Sequence, residues 1–425
     1  MTSLTAPLRR LRARGTAPVG EPAPPMPREV WVLVAASFVI ALGYGVVAPA
    51  LPEFARSFNV SITAASAVVS AFAIMRLIFA PSSGRLVRTL GERPVYLIGL
   101  LIVAVSTLAV AFARSYWQLM VFRGLGGIGS VMFSVSAMGL IIRIAPPAIR
   151  GRVSGLYSSS FVLGGISGPL IGGALIGFGL RVPFVVYAVA LFIAIAVVYV
   201  QLRGSHLATI DATPSTPTMR LPDALRIGAY RSALFTAVIF GWVYSLRVSL
   251  VPLFLATALH QRLAIAGLVL ATYACGDVMA MIPAGRLSDR IGRRPLLIIG
   301  MSVIAGGTAV LAMSHSILLT FASTVVAGWG TGMVSPSIQA ALADIMYGHG
   351  RGGPVLATYQ MSQDLGTVTG PLIAGVLAQT ISYAASFWIT AAFAACAALA
   401  WVFVHDTRPK THAVAAVPTE MAGPD

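Results

Sequence analysis

Along most of its length the chain repeats one pattern: an apolar run near twenty residues, then a short polar break holding Arg, Gly or Pro. A helix rises about 1.5 Å per residue, so such a run crosses roughly 30 Å of hydrocarbon. The pattern predicts twelve spanning helices, over residues 30–52, 62–84, 95–113, 117–144, 153–177, 183–201, 233–259, 263–287, 296–314, 317–346, 354–380 and 386–404. A longer polar stretch rich in Thr and Pro separates the first six from the last six, with a short interfacial helix expected over 221–230. The expected organisation is a tail (1–29), a six-helix bundle (30–202), a linker (203–231), a second six-helix bundle (232–405) and a tail (406–425). The fold class is therefore an all-α polytopic membrane protein.

Composition agrees: 57% of the 425 residues are hydrophobic and 10% charged, too apolar for a water-soluble domain. The net charge of +16 does not point to nucleic acid, because the arginines sit in the polar breaks. Four of the 29 basic residues fall in alternate loops (Arg56, Arg114, Arg181, Arg262) and three within spans, which leaves 22 on the side of the termini. That asymmetry predicts both termini in the cytoplasm and an inner (plasma) membrane location. The first 29 residues, with Arg9, Arg10, Arg12 and Arg14, read as a tail that touches anionic lipid or as a transit peptide. No apolar core with a cleavage site precedes Trp31. Cys275 and Cys396 lie inside apolar runs, so a structural disulfide is not expected.

The two halves are related. A shift of 201 positions aligns Gly84, Gly91, Arg93 and Pro94 with Gly285, Gly292, Arg294 and Pro295. The same shift aligns Arg150 and Gly151 with Arg351 and Gly352, and a shift of 202 aligns Gly164, Gly168, Pro169 and Gly173 with Gly366, Gly370, Pro371 and Gly375. Two bundles related by an axis along the membrane normal, with a site between them, follow from such a repeat. The repeat also reverses charge: Arg76 aligns with Asp277, Arg88 with Asp289 and Arg143 with Asp344. Either the halves divide labour, or the first half has drifted.

The segment GRLSDRIGRRP (285–295), with Gly285, Asp289, Arg290 and Arg294, resembles the loop signature of the major facilitator superfamily of secondary transporters. GRLVRTLGERP (84–94) is a degraded copy in which Arg88 replaces the acid. In the fifth span, Gly164, Gly168, Pro169, Gly172 and Gly173 spell GxxxGPxxGG. Glycines four apart allow close helix contact, and the proline permits a bend. The string resembles the antiporter motif of the superfamily's twelve-span drug/proton exporters, which implies efflux. Leu119, Arg123, Gly127 and Gly129 resemble the family's intramembrane arginine motif, with Gly126 where a glutamine is usual. By that resemblance Arg123 takes part in proton coupling; the alternative is an arginine that reaches back to the external face. The segment 49–52 (PALP) also resembles exporters of this branch, and the acid nearest the first helix is Glu53, at its external end.

Five charges fall within spans: Arg76, Arg123, Arg247, Asp277 and Asp364. Each is costly in hydrocarbon and requires a partner or a wet cavity. Counting eight residues from Gly84 and ten from Pro354, Arg76 and Asp364 lie about 12 and about 15 Å from the ends of their helices. The resemblance to the superfamily implies that the second and eleventh helices adjoin, so these depths permit an ion pair. Asp277 is then left as the first candidate for the proton carrier, with Asp364, Arg76 and Arg123 as the other coupling candidates. Arg247 is expected to lack an acid and to meet substrate or backbone. Tyr44, Tyr157, Trp242, Tyr244, Tyr273, Trp329 and Tyr359 lie away from the interfacial belts and suit an amphipathic organic ligand or plain packing. Two packing expectations follow from the motifs. Asp289 should sit near the N-terminus of the fifth helix and the arginines of its own loop, Asp344 should approach the same cluster, and together they should hold the halves closed on the cytoplasmic side. Gly168 and Gly172 should pack on the eighth.

No phosphate-binding loop, metal-ligand cluster or catalytic triad is legible, so neither an ATP-driven pump nor an enzyme is expected, and no cofactor. The expected partners are a small organic substrate, protons and the lipid bilayer, without nucleic acid, and the expected state is a monomer. The reading is proton-coupled efflux of small organic or drug-like compounds by alternating access. The alternatives are uptake or facilitated diffusion of a metabolite, anionic if Arg247 reads it, or a non-transporting sensor or lipid-handling protein on the same fold.

Overall fold

The computed structural model describes residues 26–144, 150–203, 219, 221–346 and 353–407. Among these the regular structure is helical. Twelve long helices occur: α1 (Arg28–Val47), α2 (Ile62–Leu90), α3 (Glu92–Ala111), α4 (Tyr116–Ile144), α5 (Arg150–Ile176), α6 (Val182–Leu202), α7 (Gly228–Thr257), α8 (Leu263–Ile291), α9 (Arg293–Ala312), α10 (Ile317–Met346), α11 (Gly353–Thr380) and α12 (Tyr383–Val402). Eleven are long and apolar enough to cross a membrane. The twelfth, α11, carries Gln360, Gln363, Asp364 and Thr367 at helical spacing, a polar stripe that lowers its hydropathy and turns inward.

Two short helices, Leu51–Arg56 and Leu221–Arg226, precede α2 and α7. The first shows that the expected span 30–52 breaks at Val47: Pro49 and Pro52 cannot continue the ladder, and Pro52 instead occupies the first turn of a new helix. The second is shorter than the expected 221–230, because α7 itself begins at Gly228.

The halves repeat one packing plan. In the first, α1 packs on α5 and α6, α2 on α4, and α3 on α4 and α6; in the second, α7 packs on α11 and α12, α8 on α10, and α9 on α10 and α12. The glycine contacts repeat with it. Gly99 meets Gly129 between α3 and α4, as Gly300 meets Gly330 between α9 and α10. Gly127 lies on the Phe72 carbonyl, as Gly328 lies on the Tyr273 carbonyl. The halves join through two crossed pairs, α2 with α11 and α5 with α8.

The loop signatures are mostly helix. α2 and α8 run on to Leu90 and Ile291, and the turn is a single glycine at positive φ, Gly91 (86°) and Gly292 (106°). These conformations favour glycine. The polar composition of 84–90 and 285–291 marks helix ends that continue past the apolar run, so the expected ends at 84 and 287 fall short. Gly84 has no atom within 4 Å of where a Cβ would stand, and Gly285 has only Pro336 at 3.9 Å; neither packs closely.

Candidate functional site

A cavity of about 550 Å³ lies between the halves, lined from α1, α2, α4 and α5 on one side and α7, α8 and α11 on the other. Its apolar wall includes Phe72, Phe133, Phe161 and Leu270, and its polar wall Ser130, Ser134, Gln360, Gln363 and Thr367. At its centre the expected ion pair forms. Arg76 Nε stands 3.7 Å from Asp364 Oδ1, bridging α2 to α11 and so one half to the other. Arg76 Nη1 also donates to Ser130 Oγ at 2.6 Å, which fixes the guanidinium plane.

The remaining charges are arranged differently from this pair. Arg247 forms no ion pair among the described residues, although its charge bears on Asp277 of α8. Its guanidinium lies 4.1 Å from the Tyr273 ring centroid and 5.1 Å from that of Tyr244. Arg123 likewise forms no ion pair among the described residues. It is 7% exposed and rests 4.4 Å over the Phe72 ring and 6.0 Å from that of Tyr44. It therefore does not reach back to the external face. Cation–π contact replaces an ion pair there, and such contact gains when water is excluded. Tyr44 and Tyr244 stack across the interface, centroids 6.3 Å apart and planes 21° apart. The result is a ladder, Arg123–Tyr44–Tyr244–Arg247, across both halves.

Of the aromatic candidates, Tyr44 and Tyr244 line the cavity, and Tyr273 backs it through Arg247 while bonding Thr331 at 3.0 Å. Four candidates do not line it. Trp242 donates from Nε1 to Thr390 and packs edge-on to Phe393 of α12, behind the cavity wall. Trp329 is 43% exposed on the outer surface, and Tyr359 belongs to the apolar core of the second half. Tyr157 packs on Phe161 rather than lining the space. Sequence reading missed Ser130, Gln360, Gln363 and Thr367. The i, i+3, i+4, i+7 spacing of 360, 363, 364 and 367 was the available signal.

The fifth-helix motif divides between two partners. Gly164, Gly168 and Gly172 face α1; a Cβ on Gly168 would stand 2.5 Å from the Leu42 carbonyl oxygen and 2.7 Å from Gly45 Cα. Gly173 and the Pro169 carbonyl face α8, where Gly173 and Gly267 approach with nothing between them, while the Pro169 ring lies against Gly45 of α1. Gly168 and Gly172 therefore do not pack on the eighth helix: with four residues per repeat they share a face of α5 with Gly164, and residues one position on present another face.

At the other loop signature, Arg293 bridges Asp289 (2.6 Å) and Asp344 (3.1 Å), all within the second half. Asp289 and Asp344 thus share Arg293, an arginine of the 285–295 loop, as expected; the side chains at the start of the fifth helix, 150–152, lie outside the described residues. Asp406 accepts the backbone N–H of Arg293 and of Arg294, capping α9, and Arg294 donates to the last carbonyls of α12, on Trp401 and Val402. Arg93, its repeat mate, donates to the Arg203 carbonyl at the end of α6 (3.4 Å). Arg290 lies on the same helix end as Asp289. Arg88 and Arg143 lie on α2 and α4, but their side chains are outside the described residues, as are Arg351 and Gly352.

Two like bundles enclose one largely apolar cavity, crossed by an ion pair between the halves. The model of the Major Facilitator Superfamily matches residues 33–260 and 233–422, and the chain belongs to that family. It is 29% identical over 343 residues to the class G tetracycline resistance protein of Vibrio anguillarum, covering 78% of this chain and 86% of that protein. It is 24% identical over 371 residues to multidrug resistance protein 2 of Bacillus subtilis (81% and 88% covered). Against the quinolone resistance protein NorA of Staphylococcus aureus it is 32% identical over 159 residues, 37% of this chain and 41% of that one. In fold it is similar to a bacterial homologue of the human lysosomal transporter Spinster, solved in an inward-facing, unoccupied conformation (TM-score 0.74, 17% identity, 88% and 95% covered).

Proposed function

We propose that this protein is a proton-coupled exporter of small organic compounds that works by alternating access. The observation that carries the reading is the Arg76–Asp364 ion pair across one aromatic cavity between the halves, with Arg247 on the cavity wall and Asp277 behind it, within the field of Arg247. Charges so placed are costly unless they serve a pathway. The relatives named for resistance to tetracycline, quinolones and multiple drugs support export of organic molecules. With the arginine-rich end in the cytoplasm, the seal lies outside. There Thr63 bonds Gln379 (2.8 Å), Ser70 donates to the Val368 carbonyl (2.7 Å) and Gly173 crosses Gly267. The cavity then faces inward.

In this scheme Asp277 carries the proton and Asp364 holds Arg76. Asp277→Asn should abolish transport driven by a pH gradient in reconstituted vesicles while leaving substrate exchange intact. Gradient-driven transport surviving in that variant moves the coupling to Asp364. A second reading, uptake of an organic anion, is favoured by Arg247, which donates no hydrogen bond to another described residue and lies on the cavity wall. An anion there leaves Asp277 without its counter-charge, so anion and proton would travel together; a ligand that displaces the proton travels against it. The sign of substrate movement under an imposed gradient separates the two.

A further inference from the structure

Glu53 belongs to none of the charges above. It stands on the short helix Leu51–Arg56, beyond the end of α1, where a solvent-facing carboxylate would be unremarked. Its Oε1 is instead buried and has no hydrogen-bond partner. The cover comes from both halves. Leu51, Phe54 and Ala55 share one apolar core with Phe184 of α6 and with Val248 and Leu253 of α7, and the short helix packs directly on α7. Tyr383 of α12 packs against the same core, and its hydroxyl is held to Thr257 of α7 at 2.8 Å.

The charged and titratable groups that face this site are few. Arg56 lies on the same helix as Glu53, Tyr383 feels the charges of both, and Arg181 rests 5.9 Å from the Phe54 ring. The parts of α2 and α7 in the shared core are apolar, among them Ala65, Val68, Val248 and Leu253. No ion pair forms at Glu53 among the described residues, although Arg56 is near. A buried carboxylate oxygen without a donor is stable as the neutral acid and costly as the anion.

We infer that Glu53 is a second proton site, separate from the central charges, whose protonation closes the exterior seal between the halves. While the seal is shut, α7 and the start of α12 cover the carboxyl; parting the halves exposes it to water and to Arg56. The sign follows from linkage. Burial raises the Glu53 pKa in the closed form, against a smaller opposing effect of Arg56, so the closed form binds the proton more tightly. Between the ordinary carboxylate value and the raised one, acidification shifts the population toward the closed exterior by up to about tenfold per pH unit. Above both values the closed form loses this advantage. For an exporter, an acidic exterior would thus reset the emptied carrier, though Glu53 itself need not pass its proton inward.

The test measures conformation without substrate or gradient, so its result is independent of the export reading. In a Cys275→Ser, Cys396→Ser background, spin labels at Phe178→Cys and His315→Cys report the external separation of the halves in lipid nanodiscs. Asp277→Asn is included in a parallel series to remove the pH response of the central acid. The expected result is a short-distance population that grows as the pH falls from neutral toward the ordinary carboxylate range. Glu53→Gln should hold that population high at every pH, and Glu53→Asp should keep the pH dependence. A pH response in Glu53→Gln equal to that of the parent, or a long-distance population that grows in it, overturns the inference. Should Glu53→Gln fail to fold, loss of the pH response in Arg56→Gln is not expected, and a response abolished by Arg56→Gln with Glu53 intact overturns it equally.

Discussion

Asp364→Asn should destabilise the protein mainly by stranding Arg76, and a double-mutant cycle would show it. The two charged atoms are 3.7 Å apart, and the side chains are 17% and 11% exposed. At an effective dielectric of about 20 their attraction is about 4 kcal/mol, part of which offsets the desolvation of both groups. Ser130 remains on Arg76 in the variant and compensates further. We therefore expect Asp364→Asn to cost about 3 kcal/mol, Arg76→Gln a similar amount, and the double variant less than their sum, with a coupling of about 2 kcal/mol. The assay is reversible unfolding in mixed detergent micelles, read by tryptophan fluorescence, on all four proteins at matched expression. A coupling below about 0.5 kcal/mol would refute the reasoning, because the pair would then be a proximity without energetic consequence.

Two further outcomes follow from packing at the ends. Gly168→Val should destabilise the first half by about 1–3 kcal/mol by forcing α5 from α1, whereas Gly173→Val should leave that half intact and weaken the contact with Gly267. Limited proteolysis of the first half and cross-linking between α5 and α8 should respond to one variant each. Asp406→Ala removes the acceptor of two N–H groups at the start of α9 and should cost about 0.5–2 kcal/mol in thermal unfolding. No change would mean that water replaces the cap without penalty.

Much of this was readable from the chain, for identifiable reasons. Apolar runs report span number because hydrocarbon tolerates little else, and the repeat predicts the twofold plan because both copies obey one packing code. The Arg76–Asp364 pair followed from depth together with the family resemblance, which implied that their helices adjoin. The ends were misread where composition and conformation part: residues 84–90 and 285–291 are polar yet helical, since a helix need not stop where the lipid does. Partner assignments failed where a periodicity of four selects one helix face and nothing local names the neighbour, as for Gly168 on α1. Trp242 and Trp329 were misassigned because an apolar helix buries aromatics on several faces, and only the tertiary contacts tell cavity from core from lipid. The aromatic cover of Arg123 was illegible for the same reason: charge can be counted along a chain, but what lies beside it is a matter of distance.

The Arg76–Asp364 bridge makes the two halves unlike in a way their shared plan conceals. Arg76 has Asp277 as its repeat mate, while the position matching Asp364 in the first half is Leu163, or Val162 in the alternative register. Two copies of the first half, set face to face, would bring two guanidinium groups to the centre with no carboxylate between them. Two copies of the second would bring acids and Arg247 but no Arg76. The molecule descends from a duplication in its geometry, yet in its charges it is a heterodimer written on one chain, and neither half can stand in for the other.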